Sequence, residues 1–249
     1  MPPQHAAEAA LVDVLAHVQR FHAARAADPA LASALARLAD WQSRRLAQTY
    51  ADLAGDPRYR DAIAFFRNDL YGDEEMARRD ADVSRVVPIM VRTLPEPVIA
   101  TVAQAMELNL LSHELDRRVV ACLPQDAPLT VERYCDAYRC ANDVAARRRQ
   151  IALIVEIGRA LDGFVRKPLV RGALAMMRGP ARLAGFATLH DFLERGFAAF
   201  RGMRGAERFL EIVQSRETML LDAILAGANA PFPDPLAPAG VVAISSASS

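Results

Sequence analysis

Apolar residues recur along the chain at intervals of three and four, the spacing that places them on one side of an α-helix. The first run is Leu11, Val14, Leu15, Val18 and His22, and it predicts an amphipathic helix over about 7–27. The same spacing returns in the later segments up to about residue 226, and no stretch alternates apolar and polar residues as a half-buried strand does. The pattern predicts an all-α fold, a single bundle of about nine or ten helices without a sheet.

Turn-forming and capping residues set the predicted helix boundaries. At Asp28-Pro29 the aspartate can accept a hydrogen bond from a free helix N–H, and proline suits the first helical position. Thr130 is expected to cap a short helix in the same way. Thr188 to Asp191 has the spacing of a capping box, and a short helix is expected to stop at Gly179. A proline inside a helical pattern removes a hydrogen bond, so Pro88 predicts a kink between residues 84 and 88.

The composition changes after Gly227. Several prolines follow within a few residues, and the chain ends in Ser-Ser-Ala-Ser-Ser. Such proline- and serine-rich segments are typical of disorder. Because no linker divides the earlier part, we predict one all-helical domain over 1–227 and a disordered tail over 228–249.

Composition and charge exclude several classes of protein. The 30 Lys and Arg residues balance the 30 Asp and Glu residues, so no net field attracts nucleic acid. The longest apolar runs, such as 151–155, are too short to span a bilayer. Cys122, Cys135 and Cys140 form no CxxC pair and no signal peptide precedes them, so the sequence predicts reduced thiols in a cytoplasmic protein.

The motifs that define common enzyme classes are missing from the sequence. It contains no GxxxxGK[ST] phosphate loop, no GxGxxG, no HExxH and no Gly-x-Ser-x-Gly elbow. A di-iron bundle would need Glu-x-x-His on two helices, and no such set is present. The sequence therefore predicts no metal and no cofactor, and it leaves open whether the protein is an enzyme.

The strongest remaining signal is a charged run that follows two adjacent aromatic residues. Arg78, Asp82 and Arg85 are spaced by four and three, so they can form a ladder on one face of a helix. Asp80 lies about 160° from Asp82 around the helix axis. One interpretation is a salt-bridged surface. The other is a cleft near the kink, lined by Asp69, Asp80, Asp82 and Arg85.

His113 is the histidine that the pattern sets apart, because it lies on an apolar helix with Asn109 one turn before it. It could be a ligand or a general base, or else a hydrogen-bonded core residue. Glu107 on the same helix must be paired, exposed or neutral, and Arg85 is the expected partner. The pair His190–Glu194 could hold a metal, but a solvated edge is the expected role.

The segment Phe65-Phe66-Arg67-Asn68-Asp69-Leu70-Tyr71-Gly72 resembles the motif Phe-Phe-Leu-Glu-Glu-Leu-Tyr, which names an uncharacterised bacterial family. The resemblance covers about 50–227 and continues through Arg79-Asp80-Ala81-Asp82, Pro88 and Phe192-Leu193-Glu194-Arg195-Gly196-Phe197. It implies no activity, because none is assigned to such proteins. Arg67, Asn68 and Asp69 depart from the motif. Asn68 cannot replace a glutamate as acid or base, which favours a structural role for the motif.

Two functions from different classes remain. The first is a non-catalytic soluble helical domain that binds a protein partner or forms a homodimer, through a groove beside the Phe65–Tyr71 helix. It predicts an exposed apolar patch. The second is an enzyme that binds a small molecule or cofactor in an enclosed pocket, lined by Asp69, Asp82, Arg85, Glu107 and His113. The missing catalytic motifs favour the first.

Overall fold

The structure is a computed structural model and describes residues 3–69, 80, 82–87, 94–124 and 127–237. Every regular element in these ranges is a helix, which confirms the all-α prediction. In chain order the helices are α1 (Pro3–Ala27), α2 (Pro29–Thr49), α3 (Ala51–Gly55), α4 (Arg60–Asp69), α5 (Glu96–Cys122), α6 (Val131–Ala141), α7 (Val144–Val165), α8 (Pro168–Leu183), α9 (Ala187–Gly202) and α10 (Glu207–Leu225). Residues 82–87 form a further helical segment. None of the helices described is long and apolar enough to cross a membrane.

Local capping signals set several helix starts as predicted. Asp28 Oδ1 accepts a hydrogen bond from the N–H of Leu31 at 3.0 Å, and α2 begins at Pro29. Thr130 caps α6 in the same way, through the N–H of Arg133. These signals can be read from sequence because the donor and the acceptor lie within one turn of each other.

The predicted stop of α8 at Gly179 is wrong. The helix continues to Leu183, and Gly185 takes the left-handed conformation with φ of 80°. The N–H of Phe186 then donates to the carbonyl of Ala181, which closes the helix end. A glycine ends a helix only where the chain actually turns, and here the turn comes at Gly185.

The predicted capping box at Thr188 does not form. α9 begins at Ala187, directly after Phe186, and no side chain caps its free N–H groups. Thr188 therefore lies inside the first turn and not at the position before it, from which a side chain can accept hydrogen bonds from the free N–H groups. The predicted kink between residues 84 and 88 depends on Pro88, which lies outside the described residues.

Three apolar clusters hold the helices together. The first joins α3, α4, α7, α9 and α10 around Ile63 and Phe209. The second joins α2, α6 and the ends of α5 and α10 around Trp41. The third joins α1, the helical segment 82–87, α5 and the first turn of α9 around Val18. Among the described elements, α1 and α5 have the most extensive helix-to-helix contact, so polar groups at their interface are held in place by two long helices.

α7 and α10 approach closely at Gly158. A Cβ at this position would lie 2.4 Å from Leu210 Cδ2, well inside contact distance. Gly158→Ala is expected to lower the free energy of unfolding by about 1–3 kcal/mol through overpacking, measured by urea denaturation. The matched control is Gly163→Ala, on the exposed side of α7 with open space around it. This control is expected to be neutral or to stabilise by about 0.5–1 kcal/mol, and equal effects of the two substitutions would contradict the close contact.

The chain after α10 differs from the predicted disordered tail. Phe232 is buried in the second cluster, with its ring 5.8 Å from that of Trp41. Arg139 donates to two backbone carbonyls, one at the end of α10 and one just after it. An aromatic anchor and these hydrogen bonds therefore fix 228–237 against the body of the fold. Residues 238–249 lie outside the described ranges.

Two of the three cysteines are joined, so the prediction of reduced thiols is wrong for them. Cys122 at the end of α5 and Cys140 near the end of α6 form a disulfide, with Cα atoms 6.1 Å apart. Cys135 is free and buried. The sulfurs are brought together by the packing of α5 against α6, which the spacing of the cysteines does not reveal. The cysteine argument for a cytoplasmic protein is thereby removed.

Candidate functional site

Three potential ligand groups from three separate parts of the chain meet beside α5. His22 comes from the C-terminal part of α1, His113 from α5, and Asp80 from the chain between α4 and α5. One nitrogen or oxygen atom of each lies within 4.8 Å of the other two. We call these three residues the His–Asp–His cluster.

Asp80 links the members of this cluster. Its Oδ2 is 2.8 Å from His22 Nε2 and accepts a hydrogen bond from Asn109 Nδ2, also at 2.8 Å. The residue is buried, and a buried carboxylate needs such partners because losing its hydration is costly. Ser84 donates to the backbone carbonyl of Asp80 at 3.0 Å and accepts from Gln19 at 3.0 Å. The carboxylate is thus fixed in position by groups from both long helices.

Aromatic packing orients the second imidazole of the cluster. Phe21 stacks on His113 with ring centroids 4.6 Å apart and planes inclined by 15°. The ring of His22 meets the same imidazole edge to face, at 5.5 Å and 76°. Both imidazoles therefore have ring planes that packing constrains, and a carboxylate lies beside them.

Glu107 is not part of this cluster. It forms an ion pair with Arg149, with 3.0 Å between Oε1 and Nε, and both side chains are half-exposed. The predicted partner was Arg85, so that pairing is wrong. The hydrogen bonds that Arg149 donates to Glu107 are the main cause that raises the pKa of Arg149, and Glu156 adds to it. This group is a solvated ion pair on the surface.

Part of the predicted charged ladder is present. Asp82 and Arg85 approach to 3.6 Å, and the guanidinium of Arg85 also lies 4.8 Å from the ring centre of Phe186. Partial burial raises the pKa of Asp82, and the positive charge of Arg85 counteracts this in part. Arg78 and the side chain of Asp69 lie outside the described residues.

The described candidates do not form the single enclosed pocket that the enzyme hypothesis requires. Asp82 pairs with Arg85, Glu107 pairs with Arg149, and His113 belongs to the His–Asp–His cluster. A cleft of about 330 Å³ lies elsewhere, between α8 and α9, and none of these residues lines it.

His190 and Glu194 link α8 to α9 and do not form the solvated edge that was expected. His190 is buried, and its Nε2 lies 2.8 Å from the carbonyl oxygen of Leu174. Glu194 accepts hydrogen bonds from Arg178 at 2.7 and 3.2 Å, which lower the pKa of Glu194. Both side chains therefore already have partners in the fold.

Phe65, from the segment that carries the family resemblance, is a core residue. Its ring centroid lies 5.2 Å from that of Phe192, and a Cβ at Gly196 would lie 3.0 Å from its Cζ. The residue is buried. The described part of α4 therefore packs this aromatic side chain against α9 and does not present it to a groove.

The exposed apolar patch lies on α8 instead. Leu169, Met176 and Leu183 are 88%, 75% and 93% exposed. They follow one another at intervals of seven, so they form a line along one side of the helix. Ala173 and Pro180 lie on the same side and are also exposed. We call these five residues the α8 stripe.

The body of the protein covers only part of the apolar surface of α8. Val170, Leu174 and Ala181 are the least exposed residues of the helix, and at about 100° per residue they share one side, next to the stripe. The third side carries the basic residues Arg171, Arg178 and Arg182. α8 is thus an amphipathic helix with about half of its apolar side uncovered.

Sequence reasoning missed His22 and the α8 stripe, although each had a signal. His22 continues the apolar row of Leu15 and Val18 on α1, an unusual place for a polar ring. The interval of seven between Leu169, Met176 and Leu183 was also visible, but a methionine at helical spacing is by default expected in the core. Met176 is exposed instead, so that expectation is wrong.

The fold and the cluster define an all-helical domain with a nitrogen- and oxygen-rich site at the interface of two long helices. Residues 14–231 match the family described as "Domain of unknown function (DUF8198)", and the chain belongs to that family. The resemblance to an uncharacterised family is confirmed at this level. No curated protein and no solved structure matches the chain.

Proposed function

We propose that this protein is a non-catalytic helical domain that forms a homodimer through the α8 stripe. The observation that carries the proposal is the exposure of three large apolar side chains in one line, Leu169, Met176 and Leu183. A contiguous apolar surface of this kind marks an interaction site. Burying each of these side chains would contribute about 1.5–3 kcal/mol relative to leaving it exposed.

The order of residues in the stripe supports a second copy of this chain as the occupant. A leucine lies seven residues before Met176 and another seven residues after it. Compact residues lie three and four positions away on both sides, Gly172-Ala173 and Gly179-Pro180. In an antiparallel pair of α8 helices with Met176 at the two-fold axis, Leu169 of one copy meets Leu183 of the other. A self-complementary patch is what a two-fold interface requires.

Two glycines allow a second helix to approach closely. Gly172 and Gly179 are seven residues apart beside the stripe, and a Cβ at either position would have open space around it. Large side chains of a second helix can enter the gaps between Leu169, Met176 and Leu183, as knobs enter holes in a coiled coil.

Charge on α8 is placed where it does not oppose this pairing. Arg171, Arg178 and Arg182 lie on a side away from the stripe, and Arg178 is paired with Glu194 at 2.7 Å. A helix that lies on an anionic membrane has basic residues on its polar face, in reach of the lipid headgroups. Here Arg178 is already paired with Glu194, and the stripe has the spacing that a second helix can pack against. The arrangement therefore favours a protein surface over lipid.

Met176→Glu is expected to convert a dimer into a monomer, because it would place two carboxylates at the centre of an apolar contact. The measurement is sedimentation velocity of the full chain over a series of concentrations. Met219→Glu is the matched control, since Met219 is 68% exposed on α10 and outside the stripe. A wild-type protein that stays monomeric, including one that binds only a different protein, would overturn the proposal. So would a dimer that survives Met176→Glu.

Cross-linking of single-cysteine substitutions tests whether the two α8 helices are antiparallel. With diamide as the oxidant, Met176→Cys is expected to form a disulfide between two copies, and Leu169→Cys mixed with Leu183→Cys is expected to form the mixed disulfide. Met219→Cys is the control that should remain uncoupled. Self-coupling of Leu169→Cys in preference to the mixed product would contradict the antiparallel arrangement.

A further inference from the structure

We infer that the His–Asp–His cluster binds a divalent transition metal ion. His22 and His113 supply imidazole nitrogens, and Asp80 supplies a carboxylate oxygen, with the three donor atoms within 4.8 Å of one another. Two imidazoles and one carboxylate suit Zn²⁺, Fe²⁺, Co²⁺ or Ni²⁺. Mg²⁺ and Ca²⁺ prefer sets made only of oxygen, so they fit this cluster less well.

The separations are close to those of a metal site. Ligand atoms that each lie about 2.0–2.2 Å from an ion are separated from one another by roughly 3–4 Å. His22 Nε2 and Asp80 Oδ2 are now 2.8 Å apart, as a hydrogen-bonded pair. An ion bound between them replaces the shared proton, and small side-chain movements then bring His113 within reach.

Groups around the three ligands have the roles that supporting groups have in metal sites. Asn109 donates to Asp80 at 2.8 Å and so orients the carboxylate. Phe21 stacks on His113 and limits the rotation of its ring. Ser84 holds the backbone at Asp80 through its carbonyl. Such groups strengthen metal binding because the ligands lose less freedom when the ion binds.

The cluster is partly accessible. The Asp80 side chain is 8% exposed and the His22 side chain is 19% exposed, so solvent reaches the imidazole edge. Three protein ligands leave at least one coordination position for water or a small molecule, whereas closed structural zinc sites have four protein ligands. This site is distinct from the α8 stripe, and its test does not depend on the dimer.

The test is a calorimetric titration of the full chain with Zn²⁺ after treatment with EDTA and removal of the chelator. We expect one equivalent to bind with micromolar affinity or better, and Co²⁺ to bind at the same stoichiometry with visible absorption bands from nitrogen and oxygen ligands. The absence of stoichiometric binding of both ions would overturn the inference.

His22→Gln is the informative variant, because its amide N–H can keep the hydrogen bond to Asp80 while the metal-binding nitrogen is lost. We expect it to weaken Zn²⁺ binding by at least about tenfold. His17→Gln is the matched control on the same helix, since His17 is half-exposed and outside the cluster. Thermal melting in EDTA should be the same for both variants, which separates loss of a ligand from loss of the fold.

A variant in a second histidine-containing group tests which of the two sites holds a bound ion. His190, Asp191 and Glu194 also have donor atoms within 4.8 Å of one another. Because His190 and Glu194 are engaged with Leu174 and Arg178, we expect His190→Gln to leave the Zn²⁺ affinity unchanged. Loss of binding in His190→Gln and not in His22→Gln would assign the ion to α9 and overturn the inference.

Discussion

Glu217→Ala is expected to lower the free energy of unfolding by about 3–5 kcal/mol. Glu217 on α10 accepts two hydrogen bonds from Arg45 on α2, both at 3.1 Å, and one from the Tyr50 hydroxyl at 2.9 Å. The Arg45 and Glu217 side chains are 11% and 18% exposed. Removing the carboxylate takes away the acceptor of three hydrogen bonds from a guanidinium and a hydroxyl that lie in a low-dielectric interior. Urea denaturation followed by circular dichroism measures the loss.

The matched control for this substitution is Glu207→Ala on the same helix. Glu207 forms a comparable pair with Arg159, at 2.6 Å between oxygen and nitrogen, but both side chains are more than half exposed. Solvent screens such a pair, so its removal should change stability far less. If Glu207→Ala were as destabilising as Glu217→Ala, burial would not be what makes the Arg45–Glu217 pair important.

Replacing both Cys122 and Cys140 by serine is expected to lower the free energy of unfolding by about 3 kcal/mol. The disulfide closes a loop between residues 18 apart in sequence, and opening it returns conformational freedom to the unfolded chain. The same loss is expected when the wild-type protein is reduced. Comparing urea midpoints with and without a phosphine reductant measures the effect.

The double serine variant supplies the control for this experiment, because its midpoint should not respond to the reductant. Thiol titration of the unfolded wild-type protein should find one free cysteine, Cys135. The disulfide would be contradicted if freshly purified protein had three free thiols and its urea midpoint did not change on reduction.

The sequence predicted the parts of the fold that depend on neighbours in the chain. The apolar spacing predicted the helices, and Asp28 and Thr130 marked helix starts through contacts within one turn. The predicted stop at Gly179 was wrong because a glycine or a proline lowers the stability of a helix without always ending it. Pro180 lacks the N–H that would bond to the carbonyl of Met176, but both residues are exposed, so water can satisfy that carbonyl.

The candidate site was predicted only in part, because its members are far apart in the sequence. Asp80 and His113 were singled out from their local surroundings, but their meeting with His22 depends on how α1 packs against α5. The partner of Glu107 was misassigned for the same reason. The packing of α7 against α5 brings Arg149 to Glu107, and the spacing of residues within one helix does not predict that contact.

Trp41 is the sole tryptophan of the chain, and its ring lies 4.5 Å from that of Tyr134 and 5.8 Å from that of Phe232. The indole is almost fully buried, and one of its neighbours belongs to the segment 228–237. An indole in apolar surroundings fluoresces at shorter wavelength than one in water. The wavelength of its emission maximum therefore distinguishes a docked segment 228–237 from a detached one. Intrinsic tryptophan fluorescence can follow that state without an added label.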